Sequence, residues 1–138
     1  MGFFDIFKKK VPVISLEETE IMLKMRKMYK LFDEGKVEFP YAELITYQNE
    51  IFLRGHNQYF TNAQSRGGVE KEMSALDQIL PAKLKENLHK AYEMYCTFKG
   101  AENDEMRQKI LDLFDDVLYD NNEAITSILE EYADKLEL

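Results

Sequence analysis

Apolar residues recur at three- and four-residue intervals along almost the whole chain, and each run is closed by glycine, proline or paired asparagines. That spacing places them on one stripe of an α-helix, whereas a half-buried strand needs alternation at every second residue. No segment shows a convincing period of two. Ser15 opens a capping box with Glu18, ahead of Leu16, Leu23, Met28, Leu31 and Phe32, and Gly35 ends that helix. Pro40 starts a second helix, with Leu44, Ile45, Ile51 and Phe52 as its apolar face and Gly55 as an interruption. Gly67 and Gly68 mark a loop. Val69, Met73, Leu76, Ile79 and Leu80 then give a third stretch. Pro81 begins or kinks the next, which carries Leu84, Leu88, Ala91, Tyr92, Tyr95 and Phe98 up to Gly100. Asn103 is the expected cap of a helix bearing Ile110, Phe114 and Val117. Asn121 and Asn122 break it before Ile125, Ile128, Leu129, Tyr132 and Leu136. Short connections between such helices predict an all-α, single-domain bundle of about six helices.

The chain has 138 residues, 45% of them hydrophobic, which suffices for one domain with its own core. Residues 1–14 read as an N-terminal amphipathic tail and 15–138 as one helical domain. In the tail, Phe3, Phe4, Ile6 and Phe7 precede Lys8, Lys9 and Lys10, the reverse order of a secretory signal. Gly2 is placed for myristoylation, but Ile6 stands where that motif takes Ser or Thr. Stable membrane anchoring is therefore not expected, and docking of the tail on the domain or a neighbouring subunit is its ordinary reading. No apolar run approaches the roughly 18 to 20 residues that span a bilayer. Cys96, the single cysteine, cannot form an internal disulfide, and a reducing cytoplasm fits best.

The net charge of −8 is concentrated at one end. Residues 1–100 hold 14 acidic and 15 basic side chains, whereas 101–138 hold 12 acidic and 3 basic. A field of that sign repels nucleic acid, so no direct nucleic-acid binding is expected, and a protein partner with a basic surface is favoured. Asp112, Asp116 and Asp120 are spaced i, i+4, i+8, and Asp115 is expected on the same flank, with Ile110, Phe114 and Val117 turned into the core. At about 1.5 Å rise per residue their carboxylates step by about 6 Å, close to the roughly 7 Å between phosphates along a DNA strand. With Glu123, Glu130 and Glu131 they form a candidate partner-binding acidic face. The ordinary alternative is a solvated helix flank.

Catalytic, cofactor and metal constellations are not evident. There is no phosphate-binding glycine loop, HExxH pair or GxSxG elbow. His56 and His89 stand alone, and a lone histidine beside a glycine more often hydrogen-bonds the backbone than performs acid–base work. The aspartates of residues 112–122 lack the central glycine of a calcium loop. No enzyme activity, cofactor or metal is expected.

One segment breaks the helical monotony: GHNQYFTN, Gly55 to Asn62. It resembles the GGFxQYFxN-type motif of a bacterial family of small α-helical proteins, which includes a DNA mimic beside members of no assigned function. Gly55, Gln58, Tyr59, Phe60 and Asn62 match, while Arg54 and His56 replace the glycine and phenylalanine the family often has. AELITYQNEI before it and VEKEMSALDQIL after it follow the same pattern, so the resemblance covers about Phe39 to Tyr95. It implies the helical fold and, more distantly, charge mimicry. Physically the motif reads as architecture. Gly55 allows a positive φ or a close approach, Gln58 and Asn62 can clamp at i, i+4, and Tyr59 and Phe60 can anchor the core.

Three functions are thereby set against one another. The first is a non-enzymatic interaction module, of DNA-mimic type, acting through the acidic helices. The second is a neutralising, immunity-type partner of a toxin or effector. The third is a small-ligand binder or enzyme using His56, Gln58, Tyr59 and Asn62. Homodimerisation is left open.

Overall fold

A computed structural model describes residues 16–136, with side chains from Glu20 onward. The N-terminal tail and the Ser15–Glu18 capping box lie outside the described residues. The protein is the expected all-α bundle. Its helices are α1 (Leu16–Asp33), α2 (Tyr41–Ser65), α3 (Val69–Asp77), α4 (Ala82–Thr97), α5 (Asp104–Asp120) and α6 (Asn122–Lys135), with a short 3-10 turn at Ala101–Asn103. No strand occurs among the described residues.

The stops and starts follow the local chemistry. Gly35 takes φ 72° just past α1. There the N–H of Lys36 reaches back to Leu31 O at 2.8 Å, satisfying a carbonyl the helix end would orphan. Pro40 and Pro81 occupy the positions immediately before α2 and α4, where a missing N–H costs nothing. Asn103 does stand at the start of α5, but its side chain forms no cap. Its Nδ2 donates instead to Lys99 O at 2.8 Å, stitching the connection rather than the helix it precedes.

Within the bundle two compact units can be distinguished. The larger runs Glu38–Ile128. Its core holds Leu44, Ile45, Tyr47, Ile51, Tyr59 and Phe60 of α2, Leu76 of α3, Leu84 and Leu88 of α4, and Leu111 and Leu118 of α5. The smaller comprises the described residues up to Val37 and those from Leu129 onward. In it Met28, Leu129, Tyr132 and Ala133 are buried. Lys24 Nζ donates to Asp134 Oδ1 at 2.6 Å on the outside of this unit. No helix of the described residues is long and apolar enough to cross a membrane.

The apolar stripes are shifted from the expected ones in two places. Phe52 and Leu23 remain about half exposed, at 50% and 48%. The inward stripe of α2 is Leu44, Gln48, Ile51 and Gly55, and Phe52 lies one residue beyond it, where its ring meets Tyr119 at 5.0 Å.

Candidate functional site

Gly55 sits inside α2 with φ 86° and ψ 174°, so the helix is two helices joined across a kink. The chain starts helix afresh at His56, and a fresh helix start presents N–H groups with no carbonyl partner. Asp115 supplies one from 59 residues away: its Oδ1 accepts from the backbone N–H of His56 at 2.8 Å. The same oxygen lies 2.6 Å from His56 Nδ1. On the other edge of the imidazole, Nε2 lies 2.6 Å from Tyr47 Oη. Burial above all, and then the charge of Asp115, push the Tyr47 phenol well above its ordinary range. The phenol therefore keeps its proton; a neutral imidazole with its hydrogen on Nδ1 would donate to Asp115 and accept from Tyr47 at Nε2. A carboxylate here also suits the positive end of the new helix.

The other carboxylate oxygen explains the glycine. A Cβ on residue 55 would collide with Asp115 Oδ2. Glycine thus meets two demands at once, the positive φ and the close approach of a carboxylate. Around this pair the joint between α2 and α5 is bonded throughout. Asn57 Nδ2 donates to Gln108 Oε1 at 3.0 Å, and Arg107 Nε donates to Asn57 Oδ1 at 2.7 Å. Tyr119 Oη donates to Ile51 O, in the last turn before the kink, at 3.2 Å.

The remaining signature residues hold the far half of α2. Gln58 Nε2 donates to Asn62 Oδ1 at 2.8 Å, and Asn62 Nδ2 passes on to Glu50 Oε1 at 2.6 Å. Arg66 Nη1 pairs with Glu50 Oε2 at 2.8 Å and its Nη2 with Glu72 Oε1 at 2.9 Å. Tyr59 Oη donates to the same Glu72 oxygen at 3.0 Å. Tyr59 and Phe60 are wholly buried among the rings of Tyr47, Tyr92 and Tyr95. The side chains of Gln58, Tyr59 and Asn62 are thus engaged with neighbouring helix residues, and Phe60 with the core. His56 is 0% exposed and Asp115 5%, so the ring is shut off from solvent and the carboxylate nearly so. A cavity of about 270 Å³ opens nearby, lined by Phe39, Glu43, Arg66, Lys71 and Glu72 among others, but by none of Gly55–Asn62.

The acidic face is only partly as expected. Asp112, Asp116, Asp120 and Glu123 are exposed in the larger unit, and Glu131 in the smaller, where Glu130 is half-buried. Asp115 does not join them. The core stripe of α5 is Leu111, Asp115 and Leu118, whereas Ile110, Phe114 and Val117 are only half-buried. The expected face was rotated by about one residue, or roughly 100°. The reason is that an aspartate paired with a kinked helix takes an inward position that would ordinarily hold an aliphatic side chain. Tyr47 and the Glu50–Arg66–Glu72 link went unrecognised in the sequence. An aspartate at i+4 from Leu111 and i−3 from Leu118 was the available signal for the first of these clusters.

No family model matches the chain, and no solved structure matches it. Over 95 residues it is 32% identical to part of cytadherence high molecular weight protein 2 of Mycoplasmoides gallisepticum. That match takes in 67% of this chain but only 5% of the other protein, so the chain spans about a twentieth of its relative's length.

Proposed function

We propose that this is a non-enzymatic interaction protein whose α5 carboxylates engage the basic surface of a protein partner, as a DNA mimic does. One observation carries the reading. Asp112, Asp116 and Asp120 project from one exposed flank of α5, and no lysine or arginine among the described residues pairs with them. An unneutralised row of charge, spaced at about 6 Å per step, is available to a row of cations. The resemblance of Gly55–Asn62 to a family containing a DNA mimic bears on the fold first, since mimicry there depends on surface charge rather than on this segment. The buried, mutually satisfied state of His56, Tyr59 and Asn62 weighs against a ligand or catalytic role for that segment.

Capture on immobilised protein from native lysate, followed by elution with duplex DNA or with salt, tests the reading. Partners eluted by both and missing from the D112N/D116N/D120N variant are expected, since such contacts are screened. A partner set unchanged in that variant would contradict it.

A further inference from the structure

We infer that the outer face of α5 receives a basic amphipathic helix of a partner protein, one that brings apolar side chains as well as cations. This deepens the reading above and rests on it. The carboxylates of α5 are not surrounded by polar groups alone. At about 100° per residue, Tyr119 lies about 60° to one side of Asp116 and Leu113 about 60° to the other. Tyr119 is 41% exposed and Leu113 66%. Beyond Tyr119, its ring partner Phe52 is half exposed, and Leu53, the next residue along α2, is the most exposed large apolar side chain among the described residues, at 78%. The Tyr119 phenol is raised first by burial and then by Asp115, Asp116 and Asp112, which sets those charges around its ring.

From Asp112 to Asp120 the face is therefore a row of anions between two apolar margins, and the exposed Lys109–Glu105 pair continues the same flank toward the start of α5. Its complement is a helix with cations along the middle of its contact stripe and aliphatic or aromatic residues at the edges. A purely polar cationic surface would leave Leu53 and Leu113 without apolar partners. Contiguous apolar surface rimmed by charge marks an interaction site, and the touching, partly exposed rings of Phe52 and Tyr119 supply such surface beside the carboxylates.

The test titrates the full chain with a synthetic peptide of about 18 residues, long enough to form such a helix, bearing lysines and leucines in that arrangement. A scrambled peptide of the same composition serves as the control. The ordered peptide should bind at least ten-fold more tightly. L53S/L113S should weaken it about ten-fold while leaving its salt dependence in place, and D112N/D116N/D120N should flatten the salt dependence. Equal binding of the two peptides, or an unaltered affinity in L53S/L113S, would overturn the inference and leave recognition by charge alone standing. If the triple asparagine variant also binds as the parent does, the function proposed above falls with it. Self-association of the chain that L53S/L113S abolishes would make a second copy the occupant, and would equally overturn the inference.

Discussion

At residue 55 a positive φ and a neighbouring carboxylate leave room for hydrogen alone. Gly55→Ala should cost at least about 2 kcal/mol, because backbone strain and the collision with Asp115 act together. Chemical denaturation of the two chains measures this, and a loss below about 0.5 kcal/mol would show that the kink relaxes freely. The two buried phenols set a second expectation. Tyr47 and Tyr59 are raised above the ordinary tyrosine value, in both cases chiefly by burial. Below about pH 10 both folded and unfolded chains keep these protons, and stability is unaffected. Above it the unfolded chain releases them and the folded chain does not, so stability falls as pH rises, by about 1.4 kcal/mol per unit for each group. Denaturation midpoints between pH 8 and 11 should show this fall, and Tyr47→Phe should lessen the slope. A flat profile would contradict the burial of both hydroxyls.

Between elements, the contact that matters most is Asp115 of α5 against the restart of α2 at His56. Asp115→Ala leaves two buried donors without an acceptor and should cost about 3 kcal/mol. Amide exchange should quicken first at His56 and the turn after it; uniform quickening across all helices would argue against a local cap. Arg66→Ala should cost about 1 kcal/mol, since the arginine is partly exposed but its two carboxylate partners are largely covered. Much of this layer was legible in the sequence. Gly35, Pro40, Pro81 and the positive φ of Gly55 act by local backbone chemistry, and Gln58–Asn62 by helical spacing, so these roles follow from residues a few positions apart. The inward face of α5 was not legible. Ile110, Phe114 and Val117 formed the more apolar stripe, whereas the true one contains Asp115, whose partners Gly55 and His56 lie some 60 residues away in the chain. A charge that is paid for by a distant kink looks, locally, like a charge meant for water.

Over the molecule as a whole, one set of polar groups turns inward to join helices, and another stays outside carrying charge that no lysine or arginine among the described residues neutralises. The signature segment belongs to the first class. Asp112, Asp116 and Asp120 belong to the second, with Leu53, Leu113 and Tyr119 exposed in the same unit. The function we propose accordingly lies on the outer side of α5 and not in the most distinctive stretch of sequence. The most direct measurement titrates the partner captured most strongly against three chains at low and high salt: the parent, D112N/D116N/D120N, and His56→Gln under conditions where it stays folded. If recognition runs through α5, His56→Gln should bind within about three-fold of the parent, while the triple variant loses about ten-fold or more at low salt, as three contacts of about 0.5 kcal/mol each imply. Tight binding by the triple variant together with loss in a folded His56→Gln chain would contradict it and return the function to the Gly55–Asn62 segment.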